Sequence, residues 1–248
     1  MNPTDEQRGY ARLAGICFLA NYVLQGLGDW VTILARRGEP FAEKARYAAE
    51  NYVLWRVSLL EVGLAWIVIG VLAFALYAVL EPVNKRLAQL ALCLRLGASF
   101  VGAASMAFRV AGAQLYRASA TEGAFTSGQL QALVSVMTRG GSEGIELAWI
   151  FQGAGSVLFF LLFLRSRYLP PALARLGIVA SALVIAMSLA MFVYPQYIGS
   201  LKLLGIPGLL GETATALWLL AKGLPPGDGR VISARNRSLL SGAAEPVF

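Results

Sequence analysis

Long apolar runs recur six times along the chain, with short polar segments between them. A helix needs about 20 apolar residues to cross the hydrocarbon core of a bilayer. Helices also satisfy their own backbone hydrogen bonds, which lipid cannot do. We therefore predict an all-α fold, a polytopic membrane protein with six transmembrane helices in one bundle over residues 1–223. The predicted spans are residues 13–34, 52–80, 87–115, 145–164, 176–194 and 201–223. Residues 224–248 lack a sustained pattern and are expected to form a disordered cytoplasmic tail.

Two of the connecting segments carry a pattern of their own. The loop after the first span is rich in Ala, Glu and Lys in its second half, which favours a helix there. Residues 117–144 form the longest predicted loop. Within it Thr126 or Ser127 is a good N-cap, and apolar residues then recur at helical spacing. We expect a short helix there that lies on the bundle or on the membrane surface.

Charged side chains inside the predicted spans are the strongest functional signal. Glu212 lies about ten residues from each charged flank of the last span, which places it near the middle of the membrane. Arg95 lies nine residues beyond Arg86, or ~13 Å into the membrane. An isolated charge at that depth costs on the order of 2.5 kcal/mol or more. We therefore predict that Arg95 pairs with Glu212, with Glu61 as the competing partner.

Further polar residues extend the candidate site. Gln152 lies inside the fourth predicted span, and Arg56 and Arg109 lie near span ends. The candidate ligand-binding or structural charge cluster is therefore Arg95, Glu212, Glu61, Arg56, Gln152 and Arg109. The outer groups Asp29, Arg56, Glu61, Arg109 and Glu146 are candidates for the mouth of a cavity. Pro207 and three nearby glycines predict a kink or an interruption of the last span between Gly205 and Gly211.

Composition supports the membrane interpretation and excludes several kinds of chemistry. The chain is 57% hydrophobic and 14% charged, whereas soluble domains are about 25% charged. The net charge of +7 lies largely at span ends, so it indicates topology and not nucleic-acid binding. Lys and Arg are more frequent on the side of the two termini, which predicts that both termini are cytoplasmic.

The content of histidine and cysteine argues against a catalytic or metal site. The chain has no histidine, and its two cysteines lie inside spans without metal-ligand spacing. We expect no catalytic residues, no metal, no cofactor and no enzymatic activity. The expected partners are the lipid bilayer, a small-molecule or lipid ligand, or another membrane protein.

Three stretches resemble a known bacterial family. YAVLEPVNKRLAQLALCLRLG, FFLLFLRSRYLPPALARLG and GETATALWLLAKG are similar to motifs of the six-span membrane family catalogued as domain of unknown function 4386. The resemblance implies a location in the bacterial cytoplasmic (inner) membrane. Its motifs map onto Arg56, Pro82, Asn84, Arg95, Arg165, Pro170, Glu212, Trp218 and Gly223. The chain departs from the family at Ala98, where relatives often carry an acid, and in its lack of histidine.

Three function classes remain open. A bundle that binds or transports a small polar or amphipathic ligand accounts for the charges at the midplane and for the glycine–proline break. A non-catalytic subunit or modulator of a larger membrane complex accounts for the small size and the missing catalytic chemistry. An intramembrane enzyme would be restricted to carboxylate chemistry. The first interpretation is the best supported of the three.

Overall fold

The computed structural model describes residues 3–34, 41–122 and 125–224, and these form helices and short connections. The long helices are α1 (Asp5–Leu34), α3 (Tyr52–Leu80), α4 (Lys85–Glu122), α5 (Ser127–Ser166), α6 (Pro171–Val193) and α8 (Ile206–Ala221). Shorter helices are α2 (Phe41–Glu50) and α7 (Ile198–Leu201), and 3₁₀ turns span Pro195–Tyr197 and Lys202–Gly205. The predicted tail beyond residue 224 lies outside the described residues.

Five helical segments in the described part are long and apolar enough to cross a membrane. They are Tyr52–Leu80, Lys85–Ala118, Ser127–Ser166, Pro171–Val193 and Pro195–Ala221. The predicted span at residues 52–80 is confirmed at both ends. Helix α1 has 30 residues and packs along α3 and α8, but it is not among these five. The all-α membrane architecture is thus established, and the sixth span stays a prediction.

Helix α5 corrects the predicted loop at residues 117–144. Instead of a short separate helix, a single helix of 40 residues runs from Ser127 into the fourth span. Thr126 caps it as predicted, and its side chain accepts a hydrogen bond from the Gln129 main-chain nitrogen. Gly140 and Gly141 do not end the helix, because their missing side chains let α5 approach α4 closely. A Cβ at Gly140 would lie 3.1 Å from the Phe108 ring. Packing here outweighs the low helix propensity of glycine, about 1 kcal/mol per residue.

The last span is interrupted, although not where the sequence places the break. The irregular part is the 3₁₀ turn Lys202–Gly205, and α8 then continues without interruption through Gly208 and Gly211. The predicted interruption between Gly205 and Gly211 is therefore wrong beyond Gly205, the residue at which the irregular turn ends. Pro207 falls in the first turn of α8, where backbone N–H groups have no intrahelical partner, so it starts the helix and does not break it.

The two ends of the bundle differ in packing. The main core of buried apolar side chains joins the first half of α1 to the second half of α3, with contributions from α4, α5, α6 and α8. At the opposite end α2 packs its Ala48 against a cluster that includes Trp55, Tyr116 and Leu130, which confirms the predicted helix after the first span. A third cluster of buried side chains, which includes Trp66 and Met106, joins α3, α4 and α5.

Candidate functional site

A buried polar network joins four helices near the middle of the bundle. Arg95 on α4 is 1% exposed and donates a hydrogen bond from Nη1 to the Oγ of Ser156 on α5, at 2.7 Å. The same Nη1 atom lies 3.9 Å from Oε1 of Glu212 on α8. Tyr22 on α1 donates a hydrogen bond to Oε2 of Glu212, at 2.6 Å. The two residues that the sequence predicts to pair are therefore neighbours, and each also has a closer hydrogen-bond partner.

Local packing on α5 determines the course of the Arg95 side chain. Gly155 precedes Ser156, and a Cβ at Gly155 would lie 2.7 Å from Cγ of Arg95. The aliphatic part of the Arg95 side chain thus packs on Gly155 of α5, and its guanidinium group reaches Ser156. Its Nε atom is buried and has no hydrogen-bond partner among the described residues. The network is consequently close-packed around Arg95 and more open around Glu212, whose side chain is 14% exposed.

Glu212 borders a cavity of about 340 Å³, which we call the inner cavity. Its walls come from α1, α5, α6, α8 and the 3₁₀ turn before α8. The polar part comprises Asn21, Tyr22, Gln25, Gln152, Ser156, Ser181, Lys202 and Glu212, and the larger apolar side chains are Trp149, Phe160, Val184, Met187 and Leu209. Gln25 donates a hydrogen bond to Asn21 at 2.8 Å, whereas Oε1 of Gln152 is buried and accepts none from the described residues. Pockets for small molecules typically have this volume and this mixed lining.

A second space of about 330 Å³, the outer cavity, is lined by residues of α1, α3, α4, α5 and α6 and of the segment before α8. It contains two of the predicted mouth residues, Arg109 and Glu146. Gln25, Trp149 and Lys202 line both cavities, so the two spaces adjoin.

The remaining predicted site residues lie elsewhere. Arg56 is exposed and Glu61 is half-buried, and neither lines the inner or the outer cavity as the described residues define them. Oε2 of Glu61 is buried without a hydrogen-bond partner in that part of the chain. The side chain of Asp29 lies outside the described residues. The structure thus groups Arg95, Gln152 and Glu212 at one site and Arg109 with Glu146 at another.

Sequence reasoning did not identify several residues of the site. Tyr22 and Ser156 provide the shortest hydrogen bonds to Glu212 and Arg95, but tyrosine and serine are common in membrane helices. One available signal is the spacing of Asn21 and Gln25, which places two amide side chains on the same face of the first span. In the sequence Lys202 is only the charged flank of the last predicted span, whereas in the structure it borders both cavities.

Comparison with known families covers nearly all of the transmembrane domain. The family described as "Domain of unknown function (DUF4386)" matches residues 13–223. The chain belongs to the DUF4386 family. The matched segment of this DUF4386 protein contains the four residues of the buried network and every residue that lines the two cavities. No curated protein and no solved structure matches the chain. Among the described residues, no group of three or more Cys, Asp and Glu side chains is arranged to hold a metal ion.

Proposed function

We propose that this protein binds or transports a small polar or amphipathic ligand in the inner cavity. The observation that carries the proposal is a cavity of about 340 Å³ between membrane helices, with Glu212, Lys202 and three amide side chains on its wall. Polar groups at this depth are costly and typically mark a ligand or ion pathway. We place the protein in the bacterial cytoplasmic membrane, with α1 as the sixth span and both termini cytoplasmic.

The lining suggests the chemistry of the ligand. Glu212 and the unpartnered Oε1 of Gln152 are acceptors, so the ligand is expected to bring hydrogen-bond donors to one side. Val184, Met187 and Phe160 offer an apolar wall to the other side. Arg95 does not line the cavity. Its role in this proposal is to hold Glu212 in position, because arginine keeps its positive charge in proteins.

Cysteine labelling tests whether the inner cavity is reachable from water. Cys17 and Cys93 are first replaced by alanine. Val184→Cys then places a thiol on the cavity wall, and the matched control Ala182→Cys places one on the exposed face of the same helix, which would face lipid. We expect a water-soluble maleimide to label Val184→Cys much faster than Ala182→Cys. Equal rates would contradict the proposal.

Native mass spectrometry then identifies the occupant. Protein extracted from its own membrane is expected to retain a small molecule, and adding that molecule should protect Val184→Cys from labelling. A stoichiometric bound protein subunit without any small molecule would instead favour the modulator hypothesis. Reporter fusions to both termini test the orientation, and a C-terminal reporter active only outside the cytoplasm would contradict the six-span topology.

A further inference from the structure

The outer cavity contains a buried carboxylate that the buried network does not use. Glu146 on α5 lines this cavity and is 3% exposed. Its Oε2 atom is buried and accepts no hydrogen bond within the described residues. A buried carboxylate oxygen without a donor is unfavourable unless a cation or a donor supplies the missing interaction. A cation or a hydrogen-bond donor of a ligand in the outer cavity would supply this interaction to Glu146.

Two tryptophan side chains line the same space. Trp66 on α3 and Trp149 on α5 both line the outer cavity, and Trp66 is 2% exposed and packs against Gly102 of α4, so it is held in place. The electron-rich face of an indole attracts cations, and tryptophan is the best of the aromatic residues for this interaction. A carboxylate and two indoles in one cavity are the combination that recognises organic ammonium groups.

We propose that the outer cavity is a binding site for an organic ammonium group, with Glu146 as its counter-charge and Trp66 and Trp149 as its aromatic walls. Val62, Ile145 and Met191 supply apolar contacts for the carbon substituents. An organic cation fits better than a metal ion, since the described residues offer no cluster of three metal-ligating side chains. The ammonium is that of a free amine or of a lipid headgroup.

Two cations on the cavity wall provide a test of the sign of the ligand charge. Arg109 and Lys202 line the outer cavity, and Arg109 is already engaged in an interaction of its own. Lys202 is exposed and belongs to the 3₁₀ turn before α8. If the ligand is a cation, removing the Lys202 charge strengthens binding and removing the Glu146 charge weakens it. An anionic ligand gives the opposite pattern.

Choline, ethanolamine and 3,3-dimethylbutan-1-ol are suitable probes, because the last is a neutral molecule with the shape of choline. Binding is measured by calorimetry on the full chain in nanodiscs of phosphatidylglycerol, which carries no ammonium group. We expect choline or ethanolamine to bind at least about tenfold more tightly than the neutral alcohol. Glu146→Gln should weaken amine binding about tenfold or more, and Lys202→Met should strengthen it roughly threefold.

Glu143→Gln is the matched control, because it removes an exposed carboxylate from the same helix one turn earlier. It should leave the affinity within about twofold. If the ammonium belongs to a lipid, the soluble amines do not bind, and native mass spectrometry shows phosphatidylethanolamine retained by the wild type and by Glu143→Gln but not by Glu146→Gln.

Three results would overturn the ammonium site. One is equal affinity for choline, ethanolamine and the neutral alcohol, combined with no selective retention of phosphatidylethanolamine. The second is unchanged amine and lipid binding in Glu146→Gln. The third is a reversed pattern in which Lys202→Met weakens binding and Glu146→Gln strengthens it. The inference does not depend on the inner cavity, whose test is the labelling of Val184→Cys.

Discussion

Removing the charge of Glu212 should destabilise the protein more than any other single change in the buried network. Two unit charges 3.9 Å apart, as Arg95 Nη1 and Glu212 Oε1 are, attract by about 4 kcal/mol at an effective dielectric constant of 20. The hydrogen bond from Arg95 to Ser156 is shorter, at 2.7 Å, but such a bond to a charged group contributes only about 1.5–3 kcal/mol. The longer contact is therefore expected to be the stronger one.

The expected order of destabilisation depends on which buried group each substitution leaves without its partner. Glu212→Gln leaves the Arg95 charge buried without a counter-charge and should cost about 3–5 kcal/mol. Arg95→Met should cost less, because the Glu212 side chain is 14% exposed and keeps its hydrogen bond from Tyr22. Ser156→Ala should cost least. The double variant Arg95→Met with Glu212→Gln should be more stable than the two single effects predict, by about 0.5–3 kcal/mol.

Equilibrium unfolding in mixed detergent micelles, followed by tryptophan fluorescence, measures these free energies. The surface pair of Glu81 and Lys85, whose charged atoms are 2.9 Å apart, is the control, and its double-mutant cycle should show only the weak coupling of surface ion pairs one helical turn apart. A coupling free energy below about 0.5 kcal/mol for Arg95 with Glu212 would refute the reasoning. So would a larger effect for Ser156→Ala than for Glu212→Gln, because it would make the serine the principal partner of Arg95.

Three further substitutions test the packing and the helix start, each by the unfolding free energy. Gly155→Ala would place a Cβ 2.9 Å from a main-chain oxygen of α4 and should destabilise the protein by about 1–3 kcal/mol. The control Gly63→Ala adds a Cβ with no atom within 4 Å and should be neutral or slightly stabilising. Equal effects of the two substitutions would contradict the close approach of α5 to α4. Tyr22→Phe removes the donor to Glu212 and should cost about 1.5–3 kcal/mol, and no loss would show that the hydrogen bond is replaced by water. Pro207→Ala should change stability by less than about 1 kcal/mol, since this proline lies in the first helical turn, and a larger gain would indicate a strained break there.

Hydropathy alone located most of the membrane helices, because burial of an apolar run in lipid depends on local composition. The predicted span at residues 52–80 has the bounds of α3. The polar stretch before the fourth span was wrongly predicted to be a loop, because its helical structure depends on packing and not on its own composition. Its glycines lower helix propensity locally, but they also let α5 pack against α4. That gain depends on a partner helix, which a single helix's sequence does not reveal.

The charged members of the site stood out in the sequence, but their neutral partners did not. Arg95 and Glu212 attract attention because a charge deep in a membrane helix is rare and costly. Tyr22 and Ser156 carry no such cost, so only the fold shows that their hydroxyl groups reach these two charges. The amide side chains of Asn21 and Gln25 on α1 are neutral as well, and they too were not recognised as part of the cavity wall.

The irregular turn before α8 links these observations. The sequence predicts a kink or an interruption just before Glu212, yet α8 is regular around that residue. The break lies instead at Lys202–Gly205, on the wall of the inner cavity, and it carries the lysine that borders both cavities. A 3₁₀ turn has poorer hydrogen-bond geometry than an α-helix and is more readily rearranged. Because Lys202 lines both cavities, a ligand bound in either cavity would lie next to this turn.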